Sequence, residues 1–306
     1  MTDIIRKHQP TNVKAGVILS LIYALSPHSC LAVEAFNELS VDVSYLDNVG
    51  LSSVENDKTK SSILEVNAAR FYRKTLGVSE SVNYGANLRT RSYSNYPCNQ
   101  ASVGIALGYR KKLGLGFDKP IFSATWSGTR HVYNVSARNR LDSEVSLSVS
   151  RPFGEHWDAS ISLSKRWEIP DRINQTVGLP DSLQDIASNA LDKESIQVAI
   201  ATEYYASSTW SFPASLSFSN GDITSGARYR PALSNDARAI SNDVGMGNNW
   251  YIYRYEGSAW SASLNASRLL SDGSSLNFGI SRVDARSDGN IRYDRNSLSI
   301  SWIKNW

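Results

Sequence analysis

Apolar and polar residues alternate along almost the whole chain. From Val78 to Leu88, Val78, Val82, Tyr84, Ala86 and Leu88 fall on one face, and Ser79, Ser81, Asn83, Gly85 and Asn87 on the other, with Glu80 the one interruption. Val103, Ile105, Leu107 and Tyr109 alternate with Gly104, Ala106 and Gly108. Val145, Leu147 and Val149 alternate with Ser146, Ser148 and Ser150, and Trp157, Ala159, Ile161 and Leu163 with Asp158, Ser160, Ser162 and Ser164. Trp210 to Phe218 repeats the pattern, as do Leu298, Ile300 and Trp302 against Ser299 and Ser301. Successive side chains of a strand point to opposite faces, so a period of two predicts strands with one apolar and one wet face. The pattern predicts strands near 39–47, 61–73, 77–92, 99–112, 119–131, 140–152, 156–168, 194–206, 209–225, 249–270, 274–285 and 290–306.

A soluble sandwich also alternates, and three features favour a membrane barrel. The alternating stretches run to ~10 residues or more, the length that a tilted membrane strand needs. The connections alternate short and long. Short ones fall at Thr75–Leu76, Gly114–Asp118, Phe153–His156, Ser207–Thr209 and Ser271–Ser274; longer or more polar ones fall near 48–61, 92–99, 132–139, 169–192, 226–249 and 285–290. Aromatic residues gather at strand ends: Tyr72, Tyr109, Trp157, Tyr204, Trp210 and Trp306 at the short-turn end, Trp126 and Trp167 at the other. Interfacial aromatic girdles and short periplasmic turns are properties of outer-membrane barrels. The expected fold is therefore all-β, a closed antiparallel transmembrane β-barrel of about 12 strands with longer outer loops. The first part of the strand from 249, with Tyr251, Tyr253 and Tyr255, is expected to project beyond the bilayer. Leu183, Ile186, Ala187, Ala190 and Leu191 recur at helical spacing behind Pro180 and Asp181. They predict a short helix over 180–191, with an irregular loop as the alternative.

Residues 1–35 read as a secretory leader, and 36–306 as the barrel domain. Arg6, Lys7 and Lys14 form a basic region, the apolar run Ala15–Leu25 is too short to span a bilayer, and cleavage points follow Ala32 and Ala35. Cys30 follows Pro27, His28 and Ser29, which do not form a lipoprotein signal. The 48 serines, 15 tyrosines and 8 tryptophans suit strands with a wet face. A net charge of +3 gives no basic footprint for nucleic acid. Once the leader is removed, Cys98 is the remaining cysteine, so no internal disulfide or thiolate metal cluster is expected, and no cofactor.

The final segment Leu298, Ile300, Trp302 and Trp306 resembles the C-terminal signal by which barrel-assembly machinery recognises outer-membrane proteins; Lys304 departs from it. Five short motifs resemble an uncharacterised, porin-like family of proteobacterial outer-membrane barrels. They are Tyr45-Leu46-Asp47-Asn48-Val49, Leu113-Gly114-Leu115-Gly116 ahead of Pro120, Asn220-Gly221-Asp222, Tyr253-Arg254-Tyr255 and Tyr293-Asp294-Arg295-Asn296. The last strand also resembles, more weakly, the barrel of surface lipoprotein assembly modifiers. These resemblances imply a barrel and supply no substrate.

The polar parity carries charge. Arg89, Arg91, Arg110, Lys112 and Arg166 are candidate lumen-lining residues that would favour anionic solutes. At strand ends the same cations would instead meet lipopolysaccharide phosphates, carboxylates or water. Glu144, Asp158 and Glu203 share the lumen parity and are candidates to neutralise them. Neither His131 nor His156 sits two residues from a serine, as a barrel phospholipase would require, and His131 shows no obvious partner. His156 and Asp158 share a face, but at a short turn. No catalytic or metal-binding residue is expected. The expected partners are the bilayer with its lipopolysaccharide and the assembly machinery. The leading functional expectation is a channel for small hydrophilic solutes. The alternatives are a surface-interaction or structural barrel, and an export barrel for a polymer or lipoprotein.

Overall fold

A computed structural model describes residues 33–171, 179, 185–243, 245–289 and 291–306. The leader expected over residues 1–35 lies almost wholly outside them. Among the described residues the strands are β1 (Val33–Leu46), β2 (Ser61–Gly77), β3 (Glu80–Tyr93), β4 (Gln100–Lys112), β5 (Ile121–Tyr133), β6 (Arg140–Phe153) and β7 (Trp157–Pro170). They continue with β8 (Lys193–Tyr205), β9 (Trp210–Arg228), β10 (Ala239–Asn242), β11 (Trp250–Leu269), β12 (Ser274–Ser287) and β13 (Arg292–Asn305). Each long strand pairs antiparallel with the next, β9 pairs with β11, and β13 pairs with β1. Twelve strands thus close a barrel, and the four-residue β10 is an extra strand laid along the end of β11. Closure gives every ladder a partner, the condition for a sheet to sit in lipid.

The alternation read from sequence sets which face is which. Val43, Leu64, Ile105, Leu107, Val145, Leu147, Ile161, Ile200, Leu216, Leu264, Ile280 and Ile300 all point outward and are about half exposed. An apolar belt of that extent around a barrel is a lipid-facing surface, far larger than the patches soluble monomers leave in water. The opposite parity is wet. Ser215 meets Ser263 at 2.7 Å, Ser281 meets Ser297 at 2.6 Å, and Asn87 donates to Asn67 at 3.0 Å.

β1 begins at Val33, six residues earlier than the pattern suggested, because Val33–Ala35 pair with Tyr72–Lys74 of β2. A cut after Ala32 would leave β1 intact, whereas a cut after Ala35 would shorten it. At the other end of the chain, Leu298 and Ile300 face outward opposite Tyr45 and Val43, and Trp302 lies opposite Val41. Trp306 exchanges backbone hydrogen bonds with Asn37. Lys304, out of character with an apolar C-terminal signal, reaches Asp272 in the β11–β12 turn.

The long-loop end departs from a simple picture of projecting strands. β9 and β11 run on together past their other neighbours, from the glycine pair Gly221 and Gly257 to Arg228 and Trp250. A Cβ on Gly221 would lie 2.3 Å from the Glu194 carbonyl, and one on Gly257 would lie 2.4 Å from that of Arg286, so only glycine lets the hairpin leave the wall there. Gly221 also adopts φ +137°. Tyr251, Tyr253 and Tyr255 lie on this extension, past the ends of the neighbouring strands, and their side chains are buried. They pack with Ile223, Leu233, Ala237, Ile240 and Tyr293 into a small core. The Tyr255 hydroxyl donates to the Leu233 carbonyl at 3.0 Å.

Two other loops join this core and complete a lid. Residues 47–60 dock on the extension through the Gly226 amide to the Gly50 carbonyl (3.0 Å) and the Arg228 amide to the Asp57 carboxylate (3.3 Å). Buried Asn48 ties that loop to β13 by donating to the Asp294 carbonyl at 2.9 Å. Leu51, at φ 56°, packs against the lid core in the left-handed region, a strain of about 1–3 kcal/mol for a branched residue. The helix expected over 180–191 falls partly outside the described residues; Asp185 and Ile186 are 3-10 helical, Ala187 forms an isolated bridge to Ile240, and Ala190 and Leu191 lie in a turn. Their apolar side chains are spent on the lid instead of a helical face: Ile186 and Ala187 pack on the tyrosine core, and Ala190 and Leu191 on Ala239 and Ile252.

Candidate functional site

Beneath the lid lies a chamber of about 390 Å³, bounded by β3 to β8 on the barrel side and by Gly50, Leu51, Thr224, Gly226 and Ile252 of the lid. Its lining includes Arg89, Arg91, Arg138, Arg140, Arg166 and Lys193, and no carboxylate among the described residues. The acids that balance these cations sit in the wall behind them. Arg89 and Arg91 share Glu65, at 3.3 and 2.7 Å. Arg140 bonds Asp142 at 2.8 Å and lies 3.3 Å from Glu168; Arg166 reaches the same two acids at 2.5 and 3.5 Å. Lys193 lies 3.0 Å from Glu168. Arg138 pairs with buried Asp243, its Nε at 3.2 Å. With six cations against the four acids Glu65, Asp142, Glu168 and Asp243, the cluster carries two net positive charges and presents its positive side to the cavity.

His131, for which the sequence suggested no partner, has one. Its Nε2 lies 3.2 Å from the Asp142 carboxylate, and the residue is 8% exposed. Its Nδ1 is buried in the chamber wall with no hydrogen-bond partner among the described residues. Tyr93, Tyr96, Tyr133 and Gln100 complete the polar lining. The Arg138 and Arg140 guanidinium groups stack 5.2 and 5.7 Å from the Tyr96 and Tyr133 rings, which holds them extended.

Cys98 lines the same chamber and is 1% exposed. Burial pushes its thiol up to about 11. Only the thiolate reacts, so at pH 8 the native thiol is ionised to about one part in a thousand. A maleimide should therefore label Cys98 slowly in the folded protein and rapidly after unfolding. Asp243→Asn should speed labelling, because it breaks the ion pair that fastens the 229–249 loop to Arg138. Equal labelling rates in the two proteins, measured by mass spectrometry, would show that this pair does not secure the lid.

The charged residues singled out from sequence fall into three groups. Arg89, Arg91 and Arg166 line the chamber. Arg110, Lys112, Asp158 and Glu203 line a second cavity of about 510 Å³ toward the short-turn end. Glu144 lies on β6 opposite Ser127 and Arg166, in neither cavity. The acids paired with Arg89, Arg91, Arg140 and Arg166 are Glu65, Asp142 and Glu168, and Arg138 pairs with Asp243, none of them among the acids singled out by parity. Asp158 and Glu203 instead accept from the Tyr205 hydroxyl at 2.9 and 3.1 Å, and His156 contacts the Tyr205 carbonyl at 3.0 Å. Asp142 and Arg140 share the parity of Glu144, and Glu168 that of Arg166, so parity alone would have found them. Arg138 and Asp243 come from loops, which carry no parity.

No protein-family profile and no curated protein sequence matches the chain. Solved structures do. An outer-membrane channel from Pseudomonas putida F1 superposes with a TM-score of 0.54 at 11% identity, covering 92% of this chain and 100% of that one. The chain has the fold of an outer-membrane β-barrel. The NanC porin (TM-score 0.44, 11% identity, 86% of this chain and 98% of that one) is also similar. So is the P. putida toluene transporter TodX (0.44, 11%, 89% and 90%). At these identities the likeness describes the barrel and leaves the chamber to be read from its own residues.

Proposed function

We propose that this barrel is a channel in the outer membrane of a Gram-negative bacterium, carrying small hydrophilic solutes, with its long loops outward and its short turns in the periplasm. In this reading residues 1–35 direct export, the assembly machinery engages Leu298, Ile300, Trp302 and Trp306, and lipopolysaccharide surrounds the outer rim. The observation that carries it is the inner wall. Small hydroxyl, amide and glycine residues line the barrel, charges gather in two water-accessible cavities, and apolar side chains face out. The lid then forms the constriction.

The purified protein should migrate faster in detergent gels unheated than boiled, because a closed ladder resists detergent until heated. In planar bilayers the folded form should give discrete conductance steps. A heat-modifiable protein that never conducts, with its lid intact or excised, would sink the channel reading and leave the barrel standing.

A further inference from the structure

We propose that the chamber is a saturable binding site for a small organic solute carrying two or more anionic groups. The inference deepens the channel reading by naming its solute class. Two basic banks line one cavity from different parts of the wall, Arg89 and Arg91 on β3 and Arg140 and Arg166 on β6 and β7. Their carboxylate partners are not part of the lining among the described residues, and each guanidinium has five donors, more than these acids take up, which leaves donors for charge-assisted hydrogen bonds to an anion. A solute with one anionic group satisfies one bank; a solute with two spans both.

Two further observations point to an organic ligand. His131, 8% exposed, lines the same wall, and its buried Nδ1 has no hydrogen-bond partner among the described residues. Tyr93 and Tyr133 add ring faces and hydroxyls between the banks, surface that a bare inorganic anion would not use. The volume of about 390 Å³ falls at the small end of the ~300–1,000 Å³ range of ligand pockets.

The test is isothermal titration of the full barrel in detergent with citrate, acetate and maltose at low salt, where screening is weak. Citrate should bind one to one and about tenfold or more tighter than acetate, and maltose should give no saturable heat. Arg89→Gln with Arg91→Gln should weaken citrate about tenfold or more, and Arg166→Gln on the opposite bank should do the same. Heat-modifiable migration of each variant keeps misfolding from imitating a lost site. Equal affinity for citrate and acetate, or unchanged citrate binding in both folded variants, overturns the proposal. Current without saturable citrate binding would remove the site and keep the channel; binding without current would keep the site and remove the channel.

Discussion

Excising residues 231–247, so that Arg230 is followed by Asn248, should raise single-channel conductance severalfold. The cut is backed by the ladder: the Tyr229 amide donates to the Asn249 carbonyl at 3.1 Å, so the two ends already lie side by side. The deletion removes Leu233, Ala237 and Ile240 from the lid core, and Asp243 from Arg138. The transmembrane ladders remain, because β9 pairs with β11 through seventeen register positions that the deletion does not touch. A pore's resistance is set by its narrowest section, so removing the roof of the chamber should tell more than any lumen substitution. Cys98 should become reactive to maleimide in the same protein, since its neighbour Gly245 would be gone. An assembled deletion variant with wild-type conductance would place the constriction below the chamber.

The second large effect concerns facing. Ile300→Arg should sharply reduce the assembled, heat-modifiable fraction, whereas Ser299→Arg should reduce it far less. Ile300 is 51% exposed on the lipid face opposite Val43 and Phe278, while Ser299 lies opposite Ser44 and Gly279 on the wet face. An arginine on the lipid face near the bilayer midplane costs about 2–4 kcal/mol, and one in a wet lumen keeps its water. Equal losses, measured by quantitative gel migration, would mean that the strand's faces are assigned the wrong way round.

Strands were legible in the sequence because alternation is a local property, and lipid on one side with water on the other enforces it at every step from β1 to β13. Arg89, Arg91 and Arg166 lie on the wet parity of their strands and line the chamber. The lid was not legible. Tyr251, Tyr253 and Tyr255 obey a strand's period, yet what buries them comes from short segments between the long strands: Leu51 from a loop, Leu233 from a single helical turn and Ile240 from the four-residue β10. Likewise the apolar residues at 186–191 have helical spacing, but contacts with Ala239, Ile240 and Ile252 decide their conformation. The partner of Arg138 lies 105 residues away in another loop, a separation that no local pattern encodes.

The pairing of Asn37 with Trp306 joins positions 269 residues apart. Because β1 finds its second neighbour only in β13, the cylinder cannot close before β13 is in place. Until β13 arrives, β1 and the most recent strand present rows of unpaired amides and carbonyls, templates for pairing with other chains. Contacts of such sequence separation form slowly, since the ordering they require comes before the reward. The chain therefore needs protection along its whole journey, and a version shortened at either end should accumulate as an aggregate rather than as a smaller barrel.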